Sequence, residues 1–290
     1  MQKHIFTILF ILITALSVKS QTFCRYQNGR TISYAKVEGD TLYPLTAAPW
    51  EGGEMTGNRV LQDSVRLLHP STPRVILGLS GAYEESWSGR TPFKTVRWFL
   101  KPPGSAASPG DPVVLPASLD EVLVETELVI VIGKRIKNGD PQTAAKAIFG
   151  YTAGNDIVGS VPSYHRLQGE SEDQEETLLG PGLKIGDGFA VFGPYIHRGI
   201  DWRHRTRRLD VIDGQSGEKS TYTHSTSGLL YSPAKIVSDL SRVLTLSPGD
   251  IIFTGTTKAL PAQAGDVVTI SVDGLGTCTN RIVSDVESIP

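Results

Sequence analysis

Cysteine is scarce: the 290 residues hold two, Cys24 and Cys278. That excludes a disulfide-rich scaffold and a cysteine zinc cluster, and nothing around either residue resembles a thiol nucleophile. In an oxidising compartment the two would staple the chain ends; two unrelated thiols are the alternative. An excess of one charge is also lacking. There are 28 Lys and Arg against 30 Asp and Glu, a formal net charge of −2. With no basic surplus to neutralise phosphates, nucleic acid is not an expected partner. Beyond the first twenty residues there is no apolar run long enough to cross a bilayer. No Gly-x-Ser-x-Gly elbow is present, so a serine hydrolase of that type is disfavoured. The Gly-rich turns do not follow the phosphate-loop pattern, and no repeat period is evident. Trp50, Trp87, Trp98 and Trp202 read as packing residues rather than a stacking platform.

What is plentiful is Gly, at 30, and Pro, at 18, with 39% hydrophobic residues. This favours a turn-rich, strand-heavy globular protein. The N-terminus has the pattern of a secretory signal: Lys3, an apolar or small stretch from Ile5 to Val18, then Val18 and Ser20 ahead of a cut before Gln21. An uncleaved anchor is the alternative. The expectation is an exported protein, periplasmic or secreted, free of the membrane after cleavage.

Short alternating strands around Glu38-Gly39-Asp40, a Gly-rich loop over Trp50 to Gly57 and an apolar stretch over Asp63 to Leu68 suggest a small N-terminal β unit, residues 21–73. Val75 to Leu79 then opens the larger domain, residues 74–290. Further strands are expected over Val96–Leu100, Val113–Leu115, Asp250–Phe253 and Val267–Val272. Leu209–Ile212 and Ser220–His224 flank Asp213-Gly214 as a hairpin. Helices are expected over Asp140–Phe149 and Ser232–Leu244, each with Pro in its first turn. Ser171 to Glu176 reads as an acidic exposed loop. The basic run of His197, Arg198, Arg203, His204, Arg205, Arg207 and Arg208 reads as a solvated strand face and turn, with a patch attracting anions as the alternative.

One feature resists a purely structural reading. In Val122 to Lys134, VLVETELVIVIGK, Glu125 and Glu127 interrupt an apolar run that reads as a single buried strand. Residues two apart on a strand face the same way. The two charges therefore converge and repel, and burying them unpartnered costs several kcal/mol or raises their pKa values. A bound dication relieves both problems; an edge strand with one wet face is the alternative. Asp156, in what reads as a small-residue turn over Gly150–Asp156, is a natural third ligand. Three carboxylates without Cys or His suit Mg²⁺ or Mn²⁺ rather than zinc.

FLKPP (Phe99–Pro103), ETELVIVIGK (Glu125–Lys134), GYTAGND (Gly150–Asp156), Lys184 and Asp187 ahead of FGP (Phe192–Pro194), LTLSPGDIIFTGT (Leu244–Thr256) and GLGT (Gly274–Thr277) run in the order of one family. On these six ordered motifs the chain resembles the fumarylacetoacetate hydrolase family from about Val75 to the C-terminus. The resemblance implies an α+β, mostly β fold: a mixed β-roll or β-barrel core with a small N-terminal β domain. It implies one Mg²⁺ or Mn²⁺ on Glu125, Glu127 and Asp156. Lys184 matches a pocket lysine that neutralises a substrate oxygen, Thr256 after Gly255 matches a residue that binds the substrate carboxylate, and Lys101 and Asp187 fall in segments lining the pocket, Lys101 at its mouth. Family members often form homodimers.

Substrates of this family are β-diketo or 2-oxo acids, whose two oxygens can chelate a hard cation. Breaking a C–C bond beside a carbonyl leaves an enolate, which a dication and an ammonium stabilise. Hydrolytic members carry a histidine after the first core strand. Here Gly78-Leu79-Ser80-Gly81-Ala82-Tyr83-Glu84-Glu85 places Glu84 at that position, as a candidate base or as a solvated loop carboxylate. The arginine that many members carry after Asn-Asp is also missing, since this chain continues Ile157-Val158-Gly159-Ser160; His165 or Arg166 is an expected stand-in. The sequence thus predicts C–C bond hydrolysis of a small β-diketo or 2-oxo acid. Isomerisation or decarboxylation of a hydroxymuconate-like diacid is the alternative, and a non-catalytic carboxylate-binding protein is a third.

Overall fold

The computed structural model describes residues 20–116, 119, 121–159 and 184–285. The secretory pattern before Ser20, the acidic stretch Ser171–Glu176, and His165 and Arg166 lie outside the described residues. Strands dominate, and their extended runs are the β-branched and aromatic segments of the sequence. They form sheets of thirteen, five and three strands. Antiparallel neighbours predominate, with parallel pairs between Ile251–Phe253 and Ile76–Ser80, between Gly276–Ser284 and Val113–Leu115, and between Ala190–Phe192 and Ala106–Ala107. Among the described residues none of the sheets closes on itself, so the core is an open roll rather than a barrel.

The strand Thr126–Ile132 is the axis of the large sheet. All seven of its residues are buried, because antiparallel partners flank it and core covers both faces. Its neighbours are Ile148–Asp156 on one side and Ile251–Phe253 on the other. The segment expected as one strand is two. Val122–Val124 belongs to the small sheet with Val158–Gly159 and Leu260–Ala262, and Thr126 starts the large one. Glu125 is the corner between them, its N–H donated to Asn155 Oδ1 at 2.9 Å.

Gly150–Asp156, expected as a turn, is the end of a nine-residue strand. Its glycines serve close packing rather than bending. A Cβ on Gly154 would stand 2.6 Å from both Phe253 and Val129.

The N-terminal strands do not form a sheet of their own. Gln21–Asn28 pairs with Tyr195–Arg198 and so extends the large sheet, while Cys24, Tyr26, Ala35 and Leu42 form a local apolar cluster beneath it. Both helices start as the sequence indicates. Asp140 and Ser232 accept from the N–H of Thr143 and Lys235, and Pro141 and Pro233 hold the first helical positions. The two helices, Pro141–Ala147 and Pro233–Val243, bury Ala144, Ala147, Ile236, Val237 and Leu240 in a common cluster. Cys24 and Cys278 are both buried and free; they lie in different clusters, and the Cys278 thiol faces the Gly193 carbonyl at 3.0 Å. The expected staple is not formed. Among the described residues no helix is long and apolar enough to cross a membrane.

Candidate metal centre

Three strand ends meet at one point. Glu125 comes from the corner between two sheets, Glu127 from the start of Thr126–Ile132 and Asp156 from the end of Ile148–Asp156, which pairs with it antiparallel. Thr126 faces Asn155 in that ladder, so the acidic residues of the two strands fall at the same level. One carboxylate oxygen from each of the three lies within 4.8 Å of the others. Glu127 and Asp156 are buried, and the Glu125 side chain is 16% exposed. The convergence read from sequence is therefore present, although Glu125 reaches it by a bend rather than by strand alternation.

Each carboxylate is held by a different device. Glu127 Oε2 accepts the Gly255 N–H at 2.6 Å, and Oε1 is buried without a hydrogen-bond partner. Gly255 sits at φ +87°, and a Cβ there would meet the Leu79 carbonyl at 3.1 Å, so glycine is what allows this amide to turn toward Glu127. Asp156 Oδ2 accepts from Lys184 Nζ at 2.8 Å. Lys101 Nζ stands 2.7 Å from Asp156 Oδ1, yet its three N–H groups go to the carbonyls of Ile157, Lys184 and Phe189 at 2.7, 3.0 and 2.9 Å. An ammonium has three donors. Four oxygens therefore share three donors, and Asp156 Oδ1, as close as any of the carbonyls, keeps a lone pair beyond what the ammonium occupies.

The electrostatics follow from this layout. Burial, then Asp156 and Glu125, push Glu127 well above the ordinary carboxylate range. Burial also raises Glu125, with Lys184 opposing. For Asp156 burial acts in the same direction, but Lys101 and Lys184 outweigh it and hold it below the usual range. Burial lowers Lys101, Asp156 opposing. Lys184 is raised: burial alone would lower it, and the attraction of Asp156 and Glu125 prevails. Three acids against two ammoniums leave a buried negative excess at the cluster, with an orphan oxygen on Glu127. Hard oxygens, no soft ligand and uncompensated charge fit a dication of the Mg²⁺ or Mn²⁺ kind.

Other sequence-derived candidates fall in different places. Lys101, expected at the pocket mouth, is 1% exposed and lies beneath Asp156, because its three carbonyl acceptors all face the interior. Lys184 is on the open side, 19% exposed, its ammonium 4.6 Å over the Phe99 ring. Gly255 joins the centre through its backbone. Thr256 follows it, half-buried, its hydroxyl 3.4 Å from the Lys258 carbonyl. Asp187 is exposed and its carbonyl accepts the Val114 N–H; its carboxylate is not part of the cluster. Glu84 is exposed at the start of the short turn Glu84–Trp87 and is not brought to the acids, so the position counted from the family histidine does not supply a buried base.

Sequence reasoning passed over Arg207. In the basic run it reads as solvated, yet it is fully buried. Its Nη1 donates to the carbonyls of Thr126 and Gly255 at 3.0 and 2.9 Å, and its guanidinium lies 4.2 Å over the Tyr83 ring. Tyr83 in turn meets the His224 ring edge-on at 5.5 Å. The signal was available: Arg207, Leu209 and Val211 are two apart on one strand and share its buried face.

Residues 79–283 match the fumarylacetoacetate (FAA) hydrolase C-terminal family, and residues 22–70 match the Rv2993c-like N-terminal family. The chain belongs to the fumarylacetoacetate hydrolase family. It is 30% identical to Protein Rv2993c of Mycobacterium tuberculosis over 269 residues, 87% of this chain and 94% of that one. Among solved structures, 5-carboxymethyl-2-hydroxymuconate delta-isomerase from Mycobacterium smegmatis superposes with TM-score 0.77 at 30% identity, covering 91% of this chain and all, 100%, of that one. Maleylpyruvate hydrolase of Sphingobium sp. SYK-6, in complex with manganese (II) ion and pyruvate, gives 0.67 at 25% identity over 91% of this chain and 99% of that one. The family is one of enzymes acting on small carboxylic acids, isomerases and hydrolases among them, and includes divalent-metal centres.

Proposed function

We propose that the chain is an Mg²⁺- or Mn²⁺-dependent enzyme that isomerises or decarboxylates a hydroxymuconate-like 2-oxo diacid. The buried cage of Glu125, Glu127 and Asp156, with Lys184 at its open side, carries this reading. A dication held there supplies Lewis-acid stabilisation of negative charge on a ligand oxygen. The Lys184 ammonium adds positive charge at the same place, in a setting that excludes much of the water. Lys101 keeps Asp156 ionised from below, and the Gly255 N–H fixes the direction of Glu127. Isomerisation and decarboxylation need an enolate stabilised but no activated water. The exposed position of Glu84 therefore favours them over hydrolysis.

Hydrolysis stands as the second reading on one observation. His224 Nδ1 lies 3.5 Å from Glu85 Oε2, while its Nε2 is buried and unpartnered. Burial, then Arg207, lower its pKa, so it is neutral and able to accept a proton at ordinary pH. The test is turnover of purified protein with Mn²⁺ on two panels, hydroxymuconate-type diacids and acylpyruvates, followed by loss of enol absorbance and by product analysis. The expected result is rearranged or decarboxylated diacid, with Glu84→Gln within about twofold of wild type, as befits an exposed carboxylate outside the site. Acylpyruvate hydrolysis abolished by His224→Asn transfers the assignment to the hydrolase reading. Metal-dependent binding without turnover on either panel makes the chain a carboxylate-binding protein.

Export is proposed on the pattern of residues 1–20 alone. N-terminal sequencing of protein recovered from its own cells is expected to begin at Gln21; an intact Met1 in a cytoplasmic fraction overturns it.

A further inference from the structure

The Arg207 guanidinium has two edges, and only one is used. Nη1 donates to Thr126 and Gly255, whereas Nε and Nη2 are both buried and both without a hydrogen-bond partner. Those two nitrogens form the fork that grips a carboxylate with two parallel hydrogen bonds. No ion pair joins Arg207 to an acid among the described residues, and its charge is entirely out of solvent. A buried cation with an empty fork is an expensive arrangement for a purely structural arginine, which would direct its donors to carbonyls as Lys101 does.

A second orphan stands beside the first. Tyr83 is fully buried under the guanidinium, and its hydroxyl also has no hydrogen-bond partner. The adjacent Thr254 hydroxyl spends its one proton on the Leu128 carbonyl, so toward Tyr83 it can only accept, and as a neutral acceptor it competes poorly with a carboxylate for the Tyr83 proton. The place of these groups in the fold gives their use. Arg207 bonds the Gly255 carbonyl while Glu127 bonds the Gly255 N–H, so the guanidinium and a metal-site carboxylate grip opposite sides of one residue. Thr126, the other acceptor, lies between Glu125 and Glu127 in sequence.

We infer that the Arg207 fork and the Tyr83 hydroxyl form a carboxylate subsite that takes the second, distal carboxylate of a 2-oxo diacid whose 2-oxo acid end engages the acidic centre. This deepens the proposed function and rests on it. It also locates a guanidinium for the substrate on Thr206–Ile212, a strand of a different sheet from the one that carries Asp156.

The probes are two matched pairs, 2-oxoglutarate with 2-oxopentanoate and 2-oxoadipate with 2-oxohexanoate. Members of a pair differ only in a terminal carboxylate or methyl. Binding is measured by calorimetry on the full chain with Mn²⁺. The expected result is a preference for at least one diacid over its partner of about tenfold or more, the scale of a charge-assisted bidentate contact. That ratio collapses toward unity in Arg207→Met and falls by a smaller factor in Tyr83→Phe, which removes only the hydroxyl. If Arg207→Met does not fold, as judged by its melt, the Tyr83→Phe ratio and the wild-type ratio decide. A wild-type ratio near one for both pairs, or one unchanged in a folded Arg207→Met or in Tyr83→Phe, overturns the subsite. If no 2-oxo acid binds in a Mn²⁺-dependent way, the metal reading fails instead, and the two failures are thereby distinguished.

Discussion

Glu127→Gln is expected to stabilise the metal-free protein and at the same time to destroy its affinity for Mn²⁺. Both effects have one cause. Glu127 is buried beside Asp156 and Glu125, and this raises it well above an ordinary carboxylate, so its ionised form is strained in the absence of a cation. Glutamine keeps an acceptor for the Gly255 N–H and offers an amide donor to the neighbouring acids. A metal-free gain is expected near neutral pH, seen as a higher melting temperature in EDTA. Loss of an outer partner of a metal ligand already weakens affinity about 10–100-fold, and loss of a ligand is expected to exceed that and to remove turnover.

The pH dependence has a definite sign. In the unfolded chain Glu127 titrates near its ordinary 4.5, and in the folded protein it holds its proton to higher pH. Between those two values the folded state binds more protons, so stability falls as pH rises and then levels off above the folded pKa. Asp156 acts oppositely in a window below 3.8, and His69, His197 and His224, lowered by burial from 6.5, act oppositely inside the Glu127 window. The Glu127 contribution is therefore read as a difference: in metal-free protein the melting temperature of Glu127→Gln minus that of wild type should be larger at pH 7 than at pH 5. Added Mn²⁺ should reverse it, because the cation needs the ionised acids. A difference that is flat in EDTA across this range would mean that Glu127 is not under charge strain.

The acidic centre was legible because it breaks a rule. Two glutamates in an apolar run are an anomaly that burial energetics must resolve. What the sequence hid were features that obey two rules at once. Gly150–Asp156 has the composition of a turn, but within a strand Gly154 makes room for Phe253 and Val129 and Gly150 for the His197 backbone. Val122–Lys134 has the hydrophobicity of one strand, yet Glu125 turns the chain between two sheets, a consequence of Asn155 capturing its N–H. Arg207 is masked by six exposed or half-exposed basic neighbours from His197 to Arg208, although strand alternation sets it in line with Leu209 and Val211. Side chains that act through long-range partners, such as Lys101 with Ile157, Lys184 and Phe189, have no local signature at all.

Lys101 carries the largest expected effect on stability. It is 1% exposed and closes three carbonyls and one carboxylate around a single ammonium. In Lys101→Met the apolar stem is preserved, so the packing of the chain down to Cε changes little. What is lost is the charge opposing Asp156 and the donor for three carbonyls. Removing one partner of a buried pair costs about 3–5 kcal/mol, and stranded buried acceptors add to it. At about 2–4 °C per kcal/mol for a chain of this size class, the melting temperature is expected to fall by about 10 °C or more. The loss should be partly recovered on protonating Asp156, because burial raises that carboxyl once the ammonium is gone. Lys184→Met supplies the contrast. Its ammonium is 19% exposed and among the described residues hydrogen-bonds Asp156 alone, so its removal should lower the melting temperature far less while suppressing turnover. If calorimetry instead gives the two variants equal losses, Lys101 is not the interior brace of the site and the division between a structural and a ligand-facing lysine is wrong.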